Sequence, residues 1–467
     1  MAALVLALGG CASLDERQAE VLAAGAVAVP DVWSAPLPPG GGEPAALAAW
    51  WRQFGDERLE RLIGAALETA PDVRSARARL RQARAMRDLA AANLYPSLDA
   101  SAGLTRSRSG GESQTLYNAG FDARWEPSIF GGLVDAAEAA EADAAAEEAR
   151  LELAHASLAA EVALEYVSLR LAQRRLAVVR ANVDSQAETL RISEWREQAG
   201  LVTRLDVEQA RANLEQSRAA LPGLEQTRAE AGHRLSVLTG QAPGGLRVDA
   251  SREALPTPPD GIAVGIPSDM LRRRPDVRAA ELTLRAEIAR TAQSEAERYP
   301  SLTLSGSFSW KALSLSALGG GGSFVGSLAA GLAAPLFDAG RIESRIAAQT
   351  AAQDQAFIAW EKALLTALED VENALSAYAN GRERVDARLR ASSAAAGAAE
   401  LARAQYQAGL VDFARVLDAE RTLLTAQEGL ASAEADVLIA VIQLYKARGG
   451  GWIPSENAAA MKEPSRS

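Results

Sequence analysis

A single cysteine, Cys11, stands among 467 residues, so neither an intramolecular disulfide nor a thiolate metal cluster can form. Histidine is nearly as scarce. His155 and His233 lie far apart in helical stretches, and neither has a histidine four residues away with which to share a zinc ion. Gly319-Gly320-Gly321-Gly322-Ser323 lacks the Lys-Ser/Thr that a phosphate loop requires, and Glu147-Glu148 belongs to a charged helix face. No catalytic constellation, metal site or cofactor site emerges, and the chain reads as not an enzyme. Positive charge is also short. A net charge of −11 with no long basic run argues against nucleic acid, whose phosphates demand a positive surface. No stretch of 18 apolar residues occurs, so no helix is expected to span a bilayer, which takes roughly 20. Any crossing would fall to β-strands closed into a barrel, because lipid offers no partner to unpaired backbone groups.

The cysteine's position is informative. Ala2 to Leu8 is a short apolar run, followed by Gly9, Gly10 and Cys11. Such a run suits the core of a signal peptide. Leu8-Gly9-Gly10-Cys11 resembles the lipobox of bacterial lipoproteins, in which the cysteine is lipidated and becomes the mature N-terminus. Ala12 and Ser13 follow, without the aspartate that retains such proteins at the inner membrane. The basic residues that usually precede the core are missing, which points to a start further upstream.

What the chain does have is written twice. Pro71-Asp72-Val73-Arg74 recurs as Pro275-Asp276-Val277-Arg278, and Tyr95-Pro96-Ser97-Leu98 as Tyr299-Pro300-Ser301-Leu302. Gln198-Ala199-Gly200-Leu201-Val202 recurs as Gln407-Ala408-Gly409-Leu410-Val411. Three matches in one order imply an internal duplication.

Each copy opens on a helical stretch (Pro71 to Leu94; Pro275 to Arg298) with proline at its first position, where the missing N–H costs nothing. The hydrophobic period then changes to two. Leu302, Leu304, Gly306, Phe308 and Trp310 alternate with serines and Thr303, and Phe324, Leu328, Ala330 and Leu332 return after the glycine turn. In the first copy Leu98, Ala100, Ala102 and Leu104 face one way, as do Tyr117, Ala119, Phe121, Ala123 and Trp125. Strands of about ten residues with one apolar and one small or polar face have the length and dyad of a transmembrane β-strand around a watery lumen. An amphipathic hairpin on a soluble core shares the alternation; the doubling, the flanking helices and the cysteine favour the barrel. Four strands cannot close one, since the smallest membrane form has about eight, so the chain is expected to oligomerise.

Very long helices follow. Leu133 to Ala199 contains neither glycine nor proline and corresponds to about 100 Å of helix at ~1.5 Å per residue. Leu336 to Trp452 contains no proline, and its main break is expected at Gly409. Ala136, Ala139, Ala140, Ala144, Ala145 and Ala146 provide small faces for close packing. The two Ala-Gly-Leu-Val segments read as hairpin tips. Gly200 and Gly409 suit the left-handed residue that ends a helix, Thr203 with Asp206 approximates a capping box, and Asp412 is a second N-cap. Pro222-Gly223 is expected to kink or break the first return helix. Tips and strands are expected at opposite ends of a rod.

These residues together resemble the TolC-like outer-membrane factor family, in its lipoprotein branch of OprM and NodT type within RND efflux systems. The resemblance rests on Trp50-Trp51-Arg52-Gln53-Phe54, Ile266-Pro267-Ser268-Asp269, Arg273-Arg274-Pro275-Asp276-Val277-Arg278, Tyr299-Pro300-Ser301-Leu302, Val416-Leu417-Asp418-Ala419 and Tyr445 to Trp452. It implies a mixed α and β fold: a homotrimer with a 12-stranded outer-membrane β-barrel, four strands per protomer, continuous with a long periplasmic α-helical barrel and a mixed equatorial belt. It implies a passive, lipid-anchored exit duct in the outer membrane that extends into the periplasm and docks on a periplasmic adaptor and an inner-membrane RND-type pump. The division expected is a signal peptide over 1–10, a linker and equatorial segment over 11–60, repeat one over 61–250 (hairpin 97–126, tip near 200), a linker over 251–274, repeat two over 275–448 (hairpin 301–334, tip near 409) and a tail over 449–467. The resemblance assigns the lipid anchor to Cys11 and a periplasmic gate to Tyr406 as latch, Asp206 as its acidic partner on a neighbouring hairpin, Leu410 and Ala414 as constriction, and Asp418 as an acidic ring. Ala414 is smaller than the family usually shows, and Arg415 stands where some members have aspartate. Adaptor contact is placed at Gly200-Leu201 and Gly409-Leu410. A pore-less periplasmic scaffold lipoprotein and a type I secretion exit duct are the alternatives. The aromatics at Phe308-x-Trp310 and Phe121-x-x-x-Trp125 speak against the scaffold, since they suit a membrane interface.

Overall fold

The structure is a computed structural model that describes residues 13–24, 28–38, 47–246, 254–259, 262, 264 and 266–450. Cys11, the signal-peptide segment and most of the C-terminal tail lie outside the described residues. Two compact units divide the chain. One takes residues 1–27, 78–149 and 276–363; the other takes 28–77, 150–275 and 364–467.

The elements come in a doubled order. After α1 (Leu14–Ala24), a 3-10 turn (Trp50–Phe54) and α2 (Glu57–Thr69), the chain runs α3 (Pro71–Ala92), β1 (Ser97–Ser109), β2 (Glu112–Trp125), α4 (Gly132–Gln198) and α5 (Arg204–Leu238). A short α6 (Pro267–Arg273) precedes α7 (Pro275–Ala296), β3 (Ser301–Ala312), β4 (Phe324–Ala333), α8 (Arg341–Gln407) and α9 (Phe413–Ala447). Corresponding helices are equally long in the two sets: 22 residues for α3 and α7, 67 for α4 and α8, 35 for α5 and α9. Among the described residues no helix is long and apolar enough to cross a membrane.

In the first unit the strands form one antiparallel sheet in the order β1-β2-β3-β4, so the two hairpins join through β2 and β3. Gly110 and Gly111, with φ of 62° and 92°, make the two-residue turn that suits a right-twisted hairpin. The strands have 13, 14, 12 and 10 residues, so the first hairpin is longer than the ten residues expected. Register sets Leu98 beside Ala123, Ala123 beside Gly306 and Gly306 beside Leu328; the next apolar row is Ala100, Phe121, Phe308 and Gly326. All four strands therefore turn their aromatic residues and most of their large apolar ones to one face, with Leu116 and Val325 on the other. The other face carries Asp99, Asp122, Ser307 and Ser327 in one row, where the Ser307 and Ser327 hydroxyls lie 2.6 Å apart. Phe308, Trp310 and Phe324 cluster edge to face on the apolar side, at 4.9 to 6.3 Å. In the same unit Ala139, Ala142, Ala146 and Ala149 of α4 are buried, as are Leu284, Ala286, Ile288 and Ala289 of α7. A Cβ on Gly132 would stand 3.1 Å from that of Ala296, which shows how close the chains come.

Within the span read as a linker, α1 is a helix in its own right, held to α7 by Arg17–Glu295 at 3.1 Å and Arg285–Asp15 at 2.8 Å. Of the kink or break expected in the first return helix, the break does not occur. Helix α5 runs through Pro222-Gly223 without a break. A proline there forfeits a backbone hydrogen bond, at about 3 kcal/mol. Burial of Leu214 and Ser217 before it and of Ala231 and Leu235 after it holds both halves in one helix. Tertiary packing has overridden a local propensity.

Candidate functional site

Both helical tips belong to the second unit. Each first helix ends in the same way. Gly200 and Gly409 adopt φ of 73° and 76°. The Leu201 N–H donates to the Arg196 carbonyl and the Leu410 N–H to the Gln405 carbonyl, both at 2.8 Å. This six-to-one closure satisfies carbonyls that a helix end leaves orphaned. Each second helix opens on a side-chain cap. The Thr203 hydroxyl accepts from the Asp206 N–H and the Asp206 carboxylate accepts from the Thr203 N–H at 2.9 Å, a reciprocal capping box. Asp412 accepts from the Arg415 N–H at 3.2 Å.

The tips therefore present Leu201 and Leu410, 67% and 76% exposed, on turns whose own hydrogen bonds are filled. Behind them Val202 and Val411 pack on a cluster of Ala210, Tyr406, Phe413, Val416 and Leu417. Ala414, Arg415 and Asp418 are exposed on the opening turns of α9, with Ala414 and Asp418 four residues apart on one face.

Tyr406 is buried. The Ser193 hydroxyl donates to the Thr189 carbonyl at 2.9 Å, leaving its oxygen to accept from the Tyr406 hydroxyl at 3.3 Å. Among the described residues no hydrogen bond joins Tyr406 to Asp206: one faces Ser193, and the other is used in its cap. A Tyr406–Asp206 latch would thus have to form between copies, after Tyr406 leaves its own pocket.

The sequence reading missed what holds these helices together. The Arg196 guanidinium lies 4.7 Å from the Tyr406 ring centre and donates to the carbonyls of Tyr406 and Gln407. A cation placed there meets the negative end of the α8 dipole. Further along α4, Thr189 donates its hydroxyl at 3.0 Å to Glu420, which is buried at 3% exposure. Arg403 donates to the Ser185 hydroxyl and the Ala399 carbonyl. Ser185, Glu188, Thr189, Ile192, Arg403 and Tyr406 line a cleft of about 330 Å³. Glu420 left a trace in the sequence, since it interrupts the apolar rhythm Phe413, Val416, Leu417, Leu423, Ala426. Arg196 left none, because its acceptors lie 210 residues away.

Burial raises the pKa of Glu420, against the opposing effects of Thr189 and then Arg403. The native state therefore holds this proton more firmly than the unfolded chain does. Stability then falls as pH rises from the ordinary glutamate range through the raised native value, and the penalty persists above it. Glu420→Gln keeps an acceptor for Thr189 without the charge. The variant is expected to melt higher than the wild type at neutral pH and to flatten its gain on mild acidification. A melting curve at several pH values checks this, and equal slopes for the two proteins would remove Glu420 from the account.

A sheet with an apolar band along one face, together with two closed helical hairpins, defines a class: outer-membrane-type strands carried together with long paired helices. The comparisons narrow it. The model of the family described as outer membrane efflux protein matches residues 62–241 and 266–450, and the chain belongs to that family. It is 33% identical to the pyoverdine export outer membrane protein OpmQ of Pseudomonas aeruginosa, over 98% of each chain. It is 30% identical to outer membrane protein OprJ of the same organism, over 96% of this chain and 95% of the other. Among solved structures, the outer-membrane channel OprN superposes with a TM-score of 0.84 at 33% identity, covering 92% of this chain and 99% of that one. CusC gives 0.79 at 26%, covering 91% and 98%. This is an outer-membrane efflux protein, of a transport family rather than an enzyme family.

Proposed function

We propose that three copies join edge to edge, β4 of one against β1 of the next, to close a 12-stranded barrel over a helical duct through which expelled compounds leave passively. The sheet carries this reading. Its order leaves one edge of β1 and one of β4 unpaired, while its apolar face is built for lipid, where each unpaired backbone group costs several kcal/mol. Closure on further copies removes both edges. Cys11 supplies the lipid anchor, and the tips at Gly200-Leu201 and Gly409-Leu410 meet a periplasmic adaptor coupled to an inner-membrane RND-type pump. Exposed apolar residues on turns that are already hydrogen-bonded suit such a contact. Relatives named for pyoverdine export and for toluene efflux fit a duct whose cargo is chosen elsewhere in the assembly.

Leu410, Ala414 and Asp418 line the mouth of the duct. Tyr406 and Asp206 act there by holding their own helix ends, and a latch between copies competes with those local bonds. Protein purified in mild detergent is expected to be trimeric and to conduct ions across a planar bilayer. A lone, non-conducting monomer overturns the reading. In the same bilayers Asp418→Ala should lower the preference for cations; unchanged selectivity would take Asp418 out of the mouth.

A further inference from the structure

The charges of the sheet are not spread evenly over its two faces. Alternation and register place Asp99, Glu112, Asp122, Arg124 and Lys311 on the face with the serines. On the apolar face only Arg106 and Arg108 are charged. They continue the line Leu98, Ala100, Ala102, Leu104, and they stand beside Thr115 and Ser113. Both are exposed, and no carboxylate shares their face. The sheet thus ends, at the β1–β2 turn, in two unneutralised guanidinium groups.

Their height relative to the apolar band follows from the strand geometry. The ten steps from Leu302 to Ala312 on β3 advance about 34 Å along the strand at ~3.4 Å per residue. A tilt of about 40° reduces this to roughly 26 Å, the height of an outer-membrane apolar band. Leu104 pairs with Tyr117, and Tyr117 with Ala312 at the end of that span; on β1 itself Arg106 is the first residue on this face past the apolar line and Arg108 the second. The adjoining row holds Tyr117 and the one behind it Trp310 and Phe324, aromatics of the kind that settle at headgroup level.

We propose that Arg106 and Arg108 form a binding site for phosphate-bearing lipid headgroups at the rim of the barrel. A guanidinium grips a phosphate through two parallel N–H donors, and two arginines one row apart on each protomer can hold one headgroup between them. Charge complementarity carries the choice of occupant. A site meant only for water needs no cation-only end beside an aromatic row. The inference rests on the reading of this face as lipid-facing.

The test uses the full-length trimer in nanodiscs of phosphatidylcholine doped with bis-phosphorylated lipid A or with its dephosphorylated form. Wild type is expected to retain the phosphorylated lipid and to lose it steeply with salt. Arg106→Gln with Arg108→Gln should bind it about tenfold to thirtyfold more weakly, with conductance unchanged. Lys311→Gln, on the other face, should retain it fully. Equal retention by wild type and the double variant, or equal retention of the phosphate-free lipid, overturns the proposal. Displacement by millimolar inorganic phosphate alone would mark an ion site rather than a lipid site and overturns it as well. Should the double glutamine variant not insert, Arg106→Lys with Arg108→Lys keeps the charge, and salt-independent retention by that variant has the same force. Protein that never enters the discs counts against the barrel itself, which separates the two failures.

Discussion

Leu328→Arg is expected to block insertion of the assembled protein into the outer membrane, whereas Ser307→Arg, one row away, inserts and changes only conduction. Leu328 is 88% exposed in the single chain and lies in the row Leu98, Ala123, Gly306, Leu328, near the middle of the apolar band. An arginine facing lipid at that depth costs about 2–4 kcal/mol, and in the proposed trimer every copy incurs that cost at once. Ser307 sits with Asp99, Asp122 and Ser327 on the opposite face, where a long cation stays in water and meets two carboxylates. Membrane fractionation with a heat-modifiability gel reads the first effect, and single-channel recording reads the second as a smaller cation current. If Leu328→Arg inserted normally while Ser307→Arg did not, the faces would have been assigned the wrong way round.

The pair shows what could be read from the sequence. Period-two alternation places each side chain on one face or the other once the strands are known, and the register agrees with that assignment along all four strands. The helix ends were legible for the same reason. Gly200, Gly409, Thr203 and Asp412 act through neighbours within six residues, so local sequence carries their signal. Pro222 does not end its helix, because there a local rule met a helix held by distant contacts. Arg196 and the partners of Tyr406 were invisible, and Glu420 showed only as a break in an apolar rhythm, because each owes its place to α4 meeting α8 or α9 from the other half of the chain. The strand lengths were underestimated in the first hairpin, where β1 and β2 continue past Leu104 and Tyr117 as polar strand. Apolar alternation marks only the part proposed to face lipid, and the polar continuation carries no such signal.

A second large effect is expected at a place the sequence did not flag at all. Asp56 caps α2, its carboxylate accepting from the N–H groups of Arg58 at 2.9 Å and Leu59 at 3.3 Å. Its other oxygen accepts from the Tyr166 hydroxyl of α4 at 2.8 Å. That hydroxyl accepts in turn from two nitrogens of Arg170, at 3.0 and 2.6 Å, and Arg170 also donates to Gln173 at 2.9 Å. Asp56 is 3% exposed and Arg170 1%. Burial first of all pushes the Tyr166 phenol up to about 12, so it remains a donor throughout the physiological range. Asp56→Ala takes away the cap and the carboxylate together while Arg170 stays buried. Breaking a buried charged network in this way costs about 3–5 kcal/mol, of which the cap alone represents about 1 kcal/mol. Asp56→Ser separates the two contributions, since a serine can still cap α2 but brings no charge to Tyr166 and Arg170. Denaturant unfolding followed by the fluorescence of Trp50 and Trp51, both buried in the adjoining 3-10 turn, should rank wild type above Asp56→Ser and Asp56→Ser above Asp56→Ala. A curve for Asp56→Ser coincident with that of the wild type would mean that the helix cap was the whole effect, and that the arginine finds its counter-charge elsewhere.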